Sequence, residues 1–594
     1  MRADPHGIFS WETGDRPDND HQGLSVGGAG VPCRTPRGPI PPEQRKRVRA
    51  DKHIPKGCEA GRKGRQLCHR CPRPSHLPYP REGRFHARNG EENGTGGDVK
   101  RLSFSDKTVL YLGGNIAQSL LSLAQGIILV RLLNRHDYGT FQQVMLLTSA
   151  IASIAAMSLH QSLYYFIPKA DGKARGIISQ TFSSLLLMGV ISGGMVYLLR
   201  GRLGVGFNNP DLARLAGVFC LFLMSGIPGK VTDVTLISSG RIVSAAVLTV
   251  ATSTAMLLLT SLPIVLGYGL RLMLICVVAY YLTYFLLAVI LIVRTPGGGP
   301  SLGLMKTQLI HCLPLALAGA VGMFRSKLDK FIISFFYPPA RFAVYSRGAF
   351  ELPLVAILPW ALGNLLIPRF TALHARKDRA GMMALWRTAI RRVALIFFPI
   401  FAFSFIFADN LIALLYTESY AEGASVFRIY LCLLPFRLIS YRSILQAVGD
   451  TRPIFVSTVV GLSVNAALTI ALLKTVGFIG PAIAFVCSEL VSMGYILSRA
   501  GKALNLPFPS LLPWRRMGKL FGIAGLAGAG VYPIKLAGLS EGLTLLIACS
   551  AFAPLYLAMI TRSKLLEESD RALIKRWGSL SVLLKGLRRS GGEA

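Results

Sequence analysis

Residues 242–266 read IVSAAVLTVATSTAMLLLTSLPIVL, and residues 270–293 read LRLMLICVVAYYLTYFLLAVILIV. The first run has no charged side chain, and the second has only Arg271, near its edge. A helix of about 20 apolar residues covers the hydrocarbon of a bilayer, so each run is long enough to cross it. Only Gly267-Tyr268-Gly269 lies between them, which leaves room for a tight turn and nothing more. In lipid the backbone must satisfy its own hydrogen bonds, and a helix does so within one segment. The stretch therefore predicts two consecutive membrane-crossing helices.

The same pattern recurs from residue 108 onward and predicts fourteen spans. They are 109–130, 141–163, 177–199, 212–237, 242–266, 270–293, 309–336, 342–367, 393–415, 424–447, 454–474, 478–498, 517–537 and 541–561. The expected fold class is all-α, a polytopic membrane protein. Of the 594 residues, 52% are apolar and 16% charged, against about 25% charged in soluble proteins. The formal net charge is +35. On a soluble chain that would point to nucleic acid; on a membrane chain it reflects Lys and Arg retained on the cytoplasmic side. No nucleic-acid partner is expected.

Residues 1–105 differ in character, being rich in Arg, Gly and Pro without a long apolar run. They read as a disordered basic extension, and the composition shift raises the expectation that the natural start lies near Val99. Cys68-His69-Arg70-Cys71 has zinc-like spacing but lacks a second pair, so no metal is expected. The remaining six cysteines sit singly in apolar runs and suit a role as small hydrophobes. Residues 563–594 form a basic tail whose Leu, Ile and Trp577 suit either an amphipathic surface helix or a solvated segment.

Lys and Arg orient the chain. Loops after even-numbered spans carry clearly more than loops after odd-numbered ones. The even side also carries the basic N-terminal region and the tail, so both termini are expected in the cytoplasm. Asp409, Glu418 and Glu422 then fall outside, whereas Arg131 and Arg135 run against the trend.

The chain also repeats itself. Tyr138, Gly139 and Phe141 follow the first span as Phe342, Ala343 and Tyr345 follow the seventh. Gly240 opens the fifth span as Gly449 opens the eleventh, at nearly the same offset. Two six-helix bundles as parallel repeats, 106–300 and 301–500, with two C-terminal helices at 501–562, would produce this. Parallel repeats are a transporter signature, with the substrate path between the halves.

Charges inside the spans sharpen that expectation. The seventh span holds Arg325, Lys327, Asp329 and Lys330. Facing lipid, each would cost about 2.5–3.5 kcal/mol, so they must face water, pair, or lie near a helix end. Arg325 and Asp329, four apart, can pair along one helical face, and Arg347 and Glu351 repeat that spacing. Lys327 and Lys330 are left over, and the tenth span adds Arg428, Arg437 and Arg442 without an acid. Surplus Lys and Arg in a wet cavity suit an anionic passenger such as phosphate or pyrophosphate. Asp233 and Glu489 are the acids that would suit a cation instead. Pro228, Pro314, Pro353, Pro359 and Pro435 permit kinks.

The segments RLLNRHDYGTF (131–141), LYYFIP (163–168), LDKFIIS (328–334), Glu351-Leu352-Pro353 and ILQAVGD (444–450) resemble the polysaccharide-export and O-antigen flippase family. The likeness spans roughly 105–561 and rests on the order and spacing of short motifs. That superfamily also holds multidrug exporters of the MATE type and the lipid II flippase. The resemblance implies a V-shaped pair of bundles in the cell (inner) membrane that alternates access between its two faces. The implied substrate is an oligosaccharide on a polyprenyl pyrophosphate carrier, moved outward for lipopolysaccharide or exopolysaccharide assembly. By position, Arg325, Lys327, Asp329, Lys330 and Arg437 would line the cavity, with Arg347, Glu351 and Arg131 as further substrate contacts. The rival within the fold is a cation-coupled drug antiporter, which needs uncompensated carboxylates. A membrane polymerase or glycosyltransferase would need a large outward loop or a soluble catalytic domain, so neither enzymatic activity nor a cofactor is expected. An anionic headgroup moving outward gains about 2.3 kcal/mol per charge per 100 mV, and a proton or sodium antiport would add to that.

Overall fold

The computed structural model describes residues 104–170, 172–563 and 565–567. The CxxC cluster at 68–71 and the tail beyond residue 567 lie outside the described residues. The first ten helices are α1 (Phe104–Leu132), α2 (Arg135–Ala155), α3 (Leu159–Phe166), α4 (Ala174–Leu198), α5 (Arg200–Gly206), α6 (Asp211–Arg214), α7 (Ala216–Gly229), α8 (Val231–Ser238), α9 (Ile242–Val265) and α10 (Gly269–Arg294). The next nine are α11 (Leu302–Phe336), α12 (Pro339–Gly348), α13 (Pro353–Ala375), α14 (Arg379–Ile406), α15 (Ala408–Tyr416), α16 (Gly423–Leu431), α17 (Arg442–Val448), α18 (Arg452–Thr475) and α19 (Gly480–Leu504). Three more, α20 (Phe508–Leu511), α21 (Trp514–Leu536) and α22 (Glu541–Arg562), complete an all-α chain.

Eleven of these helical segments are long and apolar enough to cross a membrane, and a twelfth is gained if α2 and α3, bent by 50° at their junction, count as one span. The bend falls at Met157 and Ser158, both in the left-handed region at φ 43° and 53°. The count is smaller than the fourteen expected because 342–367 and 424–447 are each interrupted. In the first, Pro353 forces Leu352 out of the helical region, to ψ 130°, and separates α12 from α13. In the second, Pro435 lies in the irregular stretch 432–441 between α16 and α17.

Within the first ten helices, α1 packs on α9, α4 on α7, and α10 on α7 and α9. Among the following ones, α18 packs on α19, α11 on α18, and α13 on α17, while α21 and α22 pair and lean on α14. Gly240 and Gly449 both adopt left-handed backbone, at φ 77° and 84°, in the turns before α9 and α18. Such a turn favours glycine because a β-carbon crowds the carbonyl there.

Two of the contacts between the sets are built on single residues. First, α2 packs along α12, and a β-carbon on Gly139 would collide with the Pro339 carbonyl. Second, the early part of α11 leans on α3 and α4 through a buried amide. Gln308 donates to Ser162 Oγ at 2.6 Å and Thr181 Oγ1 at 2.7 Å, and accepts from Gln180 at 3.0 Å.

Candidate functional site: two cavities divided by helix α11

Successive residues of a helix turn by about 100°, so Arg325 and Lys327 point to nearly opposite sides of α11. Lys327 and Lys330 share one face; Ala318, Gly322, Arg325 and Asp329 share another. The structure puts a cavity against each.

The first cavity, about 440 Å³, lies between α2, α7, Lys230 at the junction of α7 and α8, and α10 on one side and α11 and α12 on the other. Its charged lining is Lys230, Lys327 and Lys330, without a carboxylate. Lys327 donates to Ser149 Oγ at 2.7 Å, and Lys230 to the Ala152 carbonyl at 3.3 Å. Gln142, Thr148, Ser149, Tyr281 and Ser346 supply neutral polar groups. The remaining lining is apolar, including Met145, Phe222 and Phe342.

The second cavity, about 760 Å³, lies among α11, α13, the 432–441 stretch, α17, α18 and α19. Four of its charges form one network. Arg325 pairs with Glu489 at 2.5 Å; Arg437 pairs with Glu351 at 2.5 Å and with Glu489 at 3.5 Å. Arg325 is only 7% exposed, and Gly461 on α18 makes room for it, since a β-carbon there would strike the guanidinium. Arg442 lines the same cavity.

Asp329 takes part in neither lining. It is fully buried and accepts from the hydroxyls of Tyr345, at 3.0 Å, and Tyr430. Its Oδ1 has no hydrogen-bond partner. The expected Arg325–Asp329 pair does not form: the acid on α19 captures the arginine, and two tyrosines hold the aspartate. Nor do Arg347 and Glu351 pair. Helix α12 ends at Gly348, so the spacing of four no longer lies along one helix. Arg347 instead sits over the rings of Tyr138 at 5.0 Å and Tyr416 at 5.6 Å, within reach of cation–π attraction. Gly126 leaves space for its guanidinium.

Arg131 lies away from both cavities, donating to the Leu414 carbonyl, while Arg135 donates to the Ser419 carbonyl at 3.3 Å. These contacts and the Arg347 stack close the end of the molecule where α2 and α12 begin. Spacing alone did not reveal Lys230 as the third cavity lysine, because the junction of α7 and α8 and helix α11 come to one cavity only through the tertiary fold. Tyr345 and Tyr430 were equally hidden: apolar surroundings in the sequence do not mark which hydroxyl meets a buried acid.

A polytopic all-α chain with interrupted helices around charged internal cavities has the build of a membrane transporter. A family model described as "polysaccharide biosynthesis protein" matches residues 128–425, and the chain belongs to that family. No curated protein sequence matches it. Its fold is similar to that of a lipid II flippase, MurJ, in an inward closed conformation. That likeness has 14% identity and a TM-score of 0.59, and covers 76% of this chain and 98% of that one. It is also similar to an inward-facing multidrug-resistance MATE family transporter of the MOP superfamily. There the identity is 17% and the TM-score 0.51, covering 66% of this chain and 98% of that one. The proteins whose fold it shares are transporters rather than enzymes.

Proposed function

We propose that the protein is a flippase that carries a polyprenyl-pyrophosphate-linked oligosaccharide outward across the cell membrane. The observation that carries this reading is the cavity lined by Lys230, Lys327 and Lys330 without a carboxylate. Three ammonium groups in a half-buried site replace the water that a pyrophosphate sheds on leaving the aqueous phase. A drug or organic cation would be repelled there.

The second cavity, with its hydroxyls and amide, takes the sugars. An apolar groove of about 360 Å³ lies between α14, the 432–441 stretch and α21, lined by Phe398, Phe401, Pro435, Phe436, Trp514 and Phe521. Pro435 and Phe436 face this groove, and Arg437 faces the charged cavity. One irregular segment thus divides a greasy channel from a charged one, which suits a passenger with a lipid tail and a charged head. The closed end at α2 and α12 is the outer one in this reading, because the loops there are the poorer in Lys and Arg. Both termini are then cytoplasmic.

The test is flipping of a fluorescent polyprenyl-pyrophosphate oligosaccharide in proteoliposomes. The Lys327→Ala, Lys330→Ala double variant should lose flipping while keeping its thermal transition; full flipping would refute the reading. A cation-coupled antiporter is favoured by one observation: Asp233, near the lysine cavity on α8, has no hydrogen-bond partner at its buried Oδ1. Dye efflux abolished by Asp233→Asn, with the lysine variant unaffected, would favour that second reading.

A further inference from the structure

The second cavity carries a charge imbalance that the lysine site does not explain. Its lining holds three arginines, Arg325, Arg437 and Arg442, and two glutamates, Glu351 and Glu489. The first two arginines and both glutamates are engaged with one another. Arg442, half-buried at the start of α17, finds no hydrogen-bond or ion-pair partner among the described residues. It shares the cavity wall with Arg325 and Arg437, which repel it, and with Glu489, which is already shared between those two. A guanidinium held beside two others without an anion of its own is costly. The lining carries one more positive charge than negative.

We infer that Arg442 is a recognition site for a monoanionic sugar, a carboxylate-bearing residue of the uronic-acid type, within the transported oligosaccharide. This rests on the flippase reading and deepens it by naming the substrate class. The surroundings fit a sugar acid. Ser440, Gln446, Thr451, Thr458 and Ser492 bring neutral hydroxyl and amide groups to the lining of the same cavity. The volume of about 760 Å³ leaves room for several sugar rings. A carboxylate takes two parallel hydrogen bonds from a guanidinium fork. A single carboxylate also matches the surplus of one charge, whereas a pyrophosphate would overfill it. The pyrophosphate then stays with the lysines on the opposite face of α11.

The experiment uses the full-length protein in nanodiscs, with galacturonic acid, which carries one carboxylate, and its methyl ester as soluble probes. The native protein should bind the acid at least ten-fold more tightly than the ester. Arg442→Gln should remove that preference, and Arg442→Lys should restore part of it. The Lys327→Ala, Lys330→Ala variant should keep it, because those lysines line the other cavity. Equal binding of acid and ester by the native protein, or an unchanged preference in Arg442→Gln, overturns the inference. Loss of the preference in the lysine variant alone also overturns it, by moving the carboxylate to the first cavity. Failure of the flippase reading registers separately, as lipid-linked flipping that ignores the lysine pair.

Discussion

Glu351 and Arg437 meet at 2.5 Å, and each sits in the gap of an interrupted helix. Glu351 lies between α12 and α13; Arg437 lies between α16 and α17. The ion pair therefore ties the two helix breaks together. Arg437 also reaches Glu489 on α19, so it serves two acids while Glu351 serves one base. Arg437→Gln should cost about 2–3 kcal/mol, since it strands two carboxylates against Arg325 alone. Glu351→Gln should cost less, because Arg437 keeps Glu489. Thermal unfolding in detergent checks the order, and an equal or reversed ranking would show that the bridge does not work this way.

The buried amide at Gln308 makes a sharper stability prediction. It satisfies three polar partners at once, Ser162, Thr181 and Gln180, where α11 leans on α3 and α4. Gln308→Leu keeps the bulk but leaves Gln180 without its acceptor. A loss of about 1–3 kcal/mol is expected. The readout is the thermal transition together with hydrogen exchange in the first turns of α11, which should quicken if the contact pins that end.

Acid should weaken the junction between α15, α16 and α21. Asp409 accepts from Arg428 at 2.5 Å and from Lys535 at 2.8 Å. Partial burial pushes its carboxyl upward, but the two cations outweigh that and hold it below the ordinary carboxylate range. A depressed folded value means the pair stabilises fully above the unfolded pKa of about 4 and is lost as pH falls through the lower folded value. The side chain is 48% exposed, so solvent screening limits the effect to under about 1 kcal/mol. Asp409→Asn should flatten the loss of stability below about pH 4 and change little at neutral pH. An unchanged acid limb would refute the assignment.

The fold was legible because hydropathy is local: a run such as 242–266 declares a span without reference to anything else in the chain. The stretches around Tyr138-Gly139 and Phe342-Ala343 stood out as a recurring motif; that they pack against each other is a fact of the structure and does not follow from the recurrence. The partners of the charges were not legible. Spacing of four residues predicts a pair only where both lie on one continuous helix and no better partner arrives from elsewhere. Glu489, more than 150 residues away in the chain, displaces Asp329 as the partner of Arg325. The break after Gly348 carries Glu351 away from Arg347. The division of α11 into a lysine face and an arginine face follows from periodicity alone. That two separate cavities meet those faces could be seen only in three dimensions.

The contact between α2 and α12 offers the most direct handle on conformational change. Gly139 lies so close to the Pro339 carbonyl that an added β-carbon must push backbone aside. Backbone does not give way as the tip of a flexible side chain would, so Gly139→Ala should cost about 1–3 kcal/mol in the closed arrangement. An arrangement in which the two helices part would be spared that cost. The population should therefore shift toward opening at this end, by about ten-fold for each 1.4 kcal/mol. A cysteine at Ser346, which lines the lysine cavity, reports the shift in a background with the native cysteines replaced. A membrane-impermeant maleimide applied from the α2 end should label Ser346→Cys faster when Gly139→Ala is present. Arg347→Ala, which removes the cation from over Tyr138 and Tyr416, should act in the same direction. Equal labelling with and without Gly139→Ala would mean that this contact is packing alone and does not set the closed state.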